Sequence, residues 1–201
     1  ASRQCCLLIG MSEMTAPIVN YGDGSFVRIA ACDVGRGLFA SRSISEGEVI
    51  LRFDGPVLSL ADVRAKGPLA ANALQIGVDR YLDLTEPGRL VNHSCAPNAG
   101  VCDDEMLVAI QAIAAGEEIR FDYSTTIGDF WSMSCRCGAP TCRGTVASFA
   151  SLPADLRSRY AGLGIVQRFL IAPSVTSAEH APRDHVSPIF AGATGAPGPR
   201  K

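Results

Sequence analysis

Two groups of residues in this chain have types and spacings suited to chemistry. Cys135, Cys137 and Cys142 form a C-x-C-x4-C run followed by Arg143 and Gly144. Cys135-x-Cys137 is an awkward spacing for a mutual bridge, and close-set thiols without a secretory leader more often hold metal. Three thiolates leave a structural zinc site one ligand short of its closed tetrahedron, so a fourth ligand is expected from elsewhere. Free thiols or a bridge are the competing reading. The second group is Leu90-Val91-Asn92-His93-Ser94-Cys95-Ala96-Pro97-Asn98, a short polar stretch in apolar surroundings, with Phe121-Asp122-Tyr123 after it. Read alone, Asn92 and His93 are buried polar groups that satisfy backbone, and Tyr123 is a half-buried tyrosine with a wet hydroxyl.

The elements that must position these residues are mostly short strands. Phe26 to Ile29, Leu38 to Ala40, Val49 to Phe53, Val57 to Leu60, Leu74 to Ile76, Tyr81 to Leu84 and Glu118 to Phe121 read as extended, and Glu105 to Ile113 is the longest candidate. Between the first two, Gly35 and Gly37 flank Arg36 in a turn where positive φ costs little. Ala61 to Ala73 has room for one or two helical turns around Gly67-Pro68. The convincing helix follows Leu152-Pro153, over Ala154 to Tyr160, with Pro in its first turn and Gly162 past its end. Ile44-x-x-Gly47-Glu48-x-Ile50 and Ile113-x-x-Gly116-Glu117-x-Ile119 share one spacing, read as two uses of a common turn recipe rather than a duplication. The sum is a mainly β fold.

Composition bounds the function. The 201 residues suffice for one domain and a small appendage, and 47% hydrophobic with 19% charged residues describes a globular chain. A net charge of −2 argues against nucleic-acid binding by bulk electrostatics. The longest apolar run near the start, Cys5 to Gly10, is far too short for a bilayer, and Ala1 to Gly10 lacks the apolar core of a secretory signal. The expected compartment is the cytoplasm. Cys5, Cys6, Cys32 and Cys102 read as ordinary thiols. Residues 1–20 read as a loose arm in which Met11 and Met14 are alternative starts. Residues 172–201, rich in Ala, Pro, Gly and Ser, read as a disordered tail with solvated His180 and His185.

The N-H-S-C segment, the F-D-Y segment and the C-x-C-x4-C tail occur in the order found in SET-domain lysine methyltransferases. From about Val27 to Thr145 the chain resembles a compact, bacterial-type member of that family. The resemblance implies a SET domain over 21–130, made of several short-stranded sheets. Its N-H-S-C segment would thread beneath the F-D-Y segment as a pseudoknot. A post-SET zinc segment would follow over 131–150, then a helical segment over 151–171. By the same resemblance Cys95 joins Cys135, Cys137 and Cys142 around one zinc ion. Arg36, Gly37 and Leu38, largely through backbone, would bind S-adenosylmethionine with Asn92 and His93. No G-x-G-x-x-G follows a strand, so a Rossmann-type methyltransferase has no support.

Tyr123 is implied as the catalytic residue, orienting the sulfonium methyl through its hydroxyl, with Phe53 and Phe121 lining the channel for a lysine side chain. Where the family carries E-Y-x-G-E, this chain has Arg52-Phe53-Asp54-Gly55-Pro56, without the glutamates or the hydroxyl. Phenylalanine at 121 implies transfer to the di- or trimethyl level. The expected partner is a protein or peptide presenting a lysine. Methylation of a small amine, or a zinc-stabilised binding module without turnover, are the alternatives.

Overall fold

A computed structural model describes residues 26–128 and 131–171. The N-terminal arm, the tail with His180 and His185, and Cys5 and Cys6 lie outside the described residues. Twelve strands make up five small sheets among these residues. Strands β1 (Val27–Cys32) and β2 (Gly35–Ala40) form an antiparallel hairpin. The strands β3 (Val49–Arg52), β8 (Ala99–Cys102) and β9 (Met106–Ala109) form a three-stranded sheet with β9 in the centre. A second three-stranded sheet places β6 (Arg80–Asp83) between β4 (Val57–Leu58) and β5 (Ala73–Gly77). β7 (Asn92–His93) pairs with β10 (Arg120–Phe121), and β11 (Met133–Ser134) pairs with β12 (Thr145–Val146). The expectation of a mainly β fold in several short sheets holds.

The apolar residues of these strands meet in one main core. Leu38, Ile50, Phe53, Leu74, Val91 and Phe121 belong to it, each nearly excluded from solvent. Burying side chains of this size is the main source of stability for such short strands, which are marginal alone. A satellite core of Phe149, Leu152, Tyr160, Ile165 and Val166 sits beside β8 and β9.

Between β4 and β5 lies a helix, α1 (Leu60–Ala65), and a 3-10 turn over Gly67–Asn72. Ser59 caps α1 by accepting the Asp62 N–H, while Asp62 reaches back to the Ser59 N–H, the reciprocal arrangement of a capping box. The helix α2 covers Ala154–Leu163, three residues beyond its predicted end. Gly162 sits in its last turn. Gly164, at φ 70°, is the residue that stops it, with its N–H on the carbonyls of Tyr160 and Ala161. A last short helix, α3 (Arg168–Ile171), follows.

The predicted strand from Glu105 to Ile113 is interrupted after Ala109. Asn98 takes the Ile110 N–H, and Ile113 leaves the sheet to pair with Ile44. Ile44 and Ile113 exchange both backbone hydrogen bonds, at 2.9 Å each. The two turns of like sequence therefore face one another. In each, the glycine has positive φ, 82° at Gly47 and 85° at Gly116. In each, a glutamate carboxylate accepts a backbone N–H three residues earlier, Glu48 from Ser45 and Glu117 from Ala114, both at 3.0 Å.

Candidate active site and thiol cluster

The pairing of β7 with β10 is parallel, Asn92 opposite Arg120 and His93 opposite Phe121. Two segments far apart in sequence thus run side by side. Ser94 donates its N–H to the Phe121 carbonyl at 3.0 Å, and Asn98 donates to the Arg120 carbonyl at 3.2 Å. The buried Asn98 side chain fastens the pair further: it accepts from Arg120 N–H at 2.9 Å and donates to Glu117 Oε1 and the Glu118 carbonyl. This convergence is what the resemblance expected of the N-H-S-C and F-D-Y segments.

The residues expected on the cofactor side are brought together. Asn92 Nδ2 donates to the Arg36 carbonyl at 3.1 Å and to Glu118 Oε1 at 2.8 Å, tying β7 to β2. Leu38 is fully buried. A Cβ at Gly37 would meet the Glu118 carboxylate and the Asn92 amide, so a side chain there would displace the two groups that bond one another beside β2. Arg36 extends outward and shares Glu86 Oε1 with Arg89. Cys32 Sγ lies 3.4 Å from Asn92 Nδ2, close to this group although sequence reasoning assigned it no role.

Tyr123 stands where several elements meet. Its hydroxyl donates to the Val91 carbonyl at 2.9 Å, and its N–H donates to His93 Nδ1 at 3.2 Å. The ring lies 4.8 Å from Phe121 and 5.3 Å from His93, centroid to centroid. Burial, aided by the Glu118 carboxylate, pushes the Tyr123 phenol above its ordinary range, so it stays protonated. His93 Nδ1 lies 3.6 Å from Asp122, a separation that would suit an ion pair. Burial nevertheless lowers the His93 pKa to about 4, against the pull of Asp122, and the ring is neutral. A neutral ring also agrees with Nδ1 accepting the Tyr123 N–H.

Asp122 was not predicted as a site residue. Its carboxylate is wholly buried and accepts from Ser124 N–H at 3.1 Å, Arg143 Nη2 at 2.8 Å and Tyr160 Oη at 3.1 Å. It therefore joins the Tyr123 segment to the cysteine tail and to α2. The signal was present in the sequence as Asp122 beside Tyr123 and Arg143 beside Cys142, but its partners are separated by long stretches of chain.

A cavity of about 190 Å³ opens on the Tyr123 ring. Leu74, Tyr81, Leu84, Val91, Phe121 and Trp131 contribute much of its wall. Of the two residues expected to line a channel, Phe121 does so. Phe53 is buried behind it, 5.9 Å between ring centroids, and is not among the lining residues.

The thiols gather as well. Ligand atoms of His93, Cys95, Cys135 and Cys137 all lie within 4.8 Å of one another. Cys95 Sγ is 3.7 Å from Cys135 Sγ and 3.3 Å from His93 Nε2. Cys142 is outside this group of four and exposed, with its Sγ 3.9 Å from the Cys135 carbonyl, and its thiol interacts with those of Cys135 and Cys137. Burial pushes the Cys135 thiol up to about 12. Burial opposes ionisation at Cys137 too, but N–H groups of Cys95 and Ala139 and the neighbouring thiols outweigh it and bring Cys137 down to about 6. Several sulfurs so close cannot all ionise without a cation among them. Soft thiolates with at most one imidazole suit zinc.

With this geometry in view, comparison with known proteins is direct. Residues 35–124 match the family model described as SET domain. This stretch of the chain is a SET domain. It runs from the first residue of β2 to one past Tyr123, so the cysteine tail lies beyond the matched residues. The chain is 33% identical over 126 residues to Histone-lysine N-methyltransferase trr of Drosophila melanogaster, covering 54% of the chain and 5% of the relative. It is 34% identical over 126 residues to Histone-lysine N-methyltransferase 2B of Homo sapiens, with the same coverage of 54% and 5%. A Candida albicans relative, Histone-lysine N-methyltransferase, H3 lysine-36 specific, is 33% identical over 125 residues, covering 54% of the chain and 15% of that protein. The chain spans a small part of the length of these relatives.

Proposed function

We propose that the SET domain transfers a methyl group from S-adenosylmethionine to a lysine side chain of a protein. The observation that carries this reading is the position of Tyr123. Its ring faces the apolar cavity, while its backbone is bonded to His93, the neighbour of Asn92 on the Arg36–Leu38 side. Asn92, His93 and the backbone of Arg36 to Leu38 would hold the cofactor, which supplies an electrophilic methyl on a sulfonium. Held there, the cofactor would present that methyl to an amine entering from the cavity side, and these residues would fix the line between the two. Alignment supplies most of the acceleration.

The acceptor amine must first give its proton to water. At neutral pH this costs about three pKa units, roughly 4 kcal/mol, from a reference near 10.4. The apolar wall formed by Leu74, Val91 and Phe121 reduces that cost by disfavouring the ammonium. Tyr123 is not the base, because its phenol is held protonated. Its hydroxyl oxygen, donating to Val91, keeps lone pairs free to orient the methyl group.

Phe121 leaves room beside the amine, so products reach the di- or trimethyl level. Cys95, Cys135 and Cys137, with Cys142 as the fourth ligand, would hold one zinc ion, which would pin the tail over the N-H-S-C segment. The enzyme works in the cytoplasm. Incubation of the protein with methyl-labelled S-adenosylmethionine and cell lysate tests the reading. Label on protein lysine, located by mass spectrometry, is the expected result; label on small molecules only, or none, would refute it.

A further inference from the structure

The segment that follows the cysteine tail reaches back to the turn that carries Tyr123. Tyr160, on α2, is 1% exposed and belongs to the satellite core. Its hydroxyl donates to Asp122 Oδ2 at 3.1 Å. The other carboxylate oxygen is held from elsewhere, since Oδ1 accepts from Ser124 N–H and from Arg143 Nη2. Among the described residues Tyr160 is the sole hydrogen-bond donor to Oδ2. Bonds to Oδ1 alone would leave the carboxylate plane to turn about its last torsion, which is broad in aspartate. The Tyr160 hydroxyl fixes that plane.

Asp122 in turn sets the backbone that follows it. It caps the 3-10 turn over Tyr123–Thr126 through Ser124 N–H, and its carbonyl accepts from both the N–H and the hydroxyl of Thr125. This turn aims the Tyr123 N–H at His93 Nδ1. Two more bonds from the same C-terminal segment brace the region. Gln167 N–H donates to the Thr125 carbonyl and Phe149 N–H to the Ile127 carbonyl, each at 3.0 Å. Tyr160 itself does not line the cavity, so its influence on an acceptor there passes through Asp122.

We infer that Tyr160 is a positioning residue for methyl transfer, which fixes the Asp122 carboxylate and thereby sets the turn that carries Tyr123. The inference rests on the role proposed for Tyr123. It extends the working parts of the domain past residue 124, where the matched stretch ends. A misplacement of about 1 Å near reacting groups can cost about a hundredfold in rate, so partial loosening of this turn should cost about tenfold.

The test compares two variants of the full chain. Tyr160→Phe removes the hydroxyl and keeps the ring, whereas Ile165→Val thins the same core and leaves the bond in place. Methyl-labelled S-adenosylmethionine at saturation, with lysate proteins as acceptors, gives the rate of transfer. Calorimetry gives cofactor affinity, and thermal unfolding gives Tm. Labelling with 15N-tyrosine resolves the Tyr123 amide among four tyrosines, assigned by its loss in Tyr123→Phe. Tyr160→Phe should slow transfer about tenfold, keep cofactor affinity and move the Tyr123 amide signal. Ile165→Val should lower Tm while leaving the rate and that signal in place. An unchanged rate in Tyr160→Phe, an unmoved signal, or rates that fall in both variants in step with Tm would overturn the inference. So would a Tyr160→Phe chain that does not fold, because the hydroxyl would then serve the fold alone. If wild type transfers no label, a moved signal upholds the link from Tyr160 to Tyr123, and the proposed reaction is what fails.

Discussion

The Tyr123 hydroxyl donates to the carbonyl of Val91 at 2.9 Å, and both residues line the same cavity. This bond fixes the phenol oxygen of the residue proposed to orient the methyl group. Tyr123→Phe should therefore retain most cofactor binding and lose most turnover, with kcat falling on the order of a hundredfold. It should also lower stability by about 1 kcal/mol, since the Val91 carbonyl loses its partner. Calorimetry with S-adenosylmethionine and steady-state kinetics check both parts; unchanged kcat would remove the hydroxyl from the mechanism.

On the proposed reading, Phe121 sets the volume beside the amine. Phe121→Tyr adds a hydroxyl to the cavity wall, which can hold a water where a first methyl would have to go. Products at long reaction times should shift from di- and trimethyl-lysine to monomethyl-lysine. A wild type that stops at one methyl, indistinguishable from the variant, would show that this position does not set the product.

The purified protein should carry one zinc per chain. Cys137→Ser removes the sulfur with the lowered pKa, and should abolish metal binding. Cys142→Ser should lose the metal too, and loosen the tail from about Trp131. Elemental analysis settles the stoichiometry. If Cys142→Ser keeps its zinc and His93→Ala does not, the imidazole is the fourth ligand, as the grouping of His93 with Cys95, Cys135 and Cys137 allows.

The pH dependence follows from Tyr123. Its folded pKa is raised by burial above the ordinary tyrosine value near 10, so the folded state keeps a proton that the unfolded chain gives up. The resulting stability is fully present below pH 10 and is lost as pH rises through the folded value. Turnover should rise with pH, as more acceptor amine is deprotonated, without a descending limb from Tyr123 below pH 10. Such a limb in wild type, absent in Tyr123→Phe, would contradict this.

Asp122→Asn should be the most damaging single change among these residues. It leaves the Arg143 guanidinium without its anion and weakens the bond from Tyr160, at a cost of about 3 to 5 kcal/mol. Denaturant unfolding measures it. A loss below about 1 kcal/mol would mean that the tail and α2 are held by apolar contact alone.

What could be read in the sequence divides along chain distance. The β1–β2 hairpin, the turn glycines and the start of α2 follow from local propensity, and were legible. The end of α2 was misplaced because Gly162 and Gly164 are both glycines, and only the left-handed geometry at Gly164 distinguishes them. The meeting of Asn92 with Arg36 was legible only through the family resemblance, and its bond to Glu118 was not legible at all. Nothing in residues 92–95 alone names those partners. Asp122, Cys32 and the burial of Phe53 behind Phe121 were not legible, because each depends on packing between remote segments.

The paired turns at Ile44 and Ile113 give the domain a local dyad. The antiparallel bridge between the two isoleucines sets the turns against each other, each with a left-handed glycine followed by a glutamate. Ile50 and Ile119, at the matching ends, are both fully buried. The likeness ends between the isoleucines: Val49 packs on the satellite core, whereas its counterpart Glu118 accepts from Asn92, so exchanging the two segments would set a carboxylate against that core and take from Asn92 one of its acceptors.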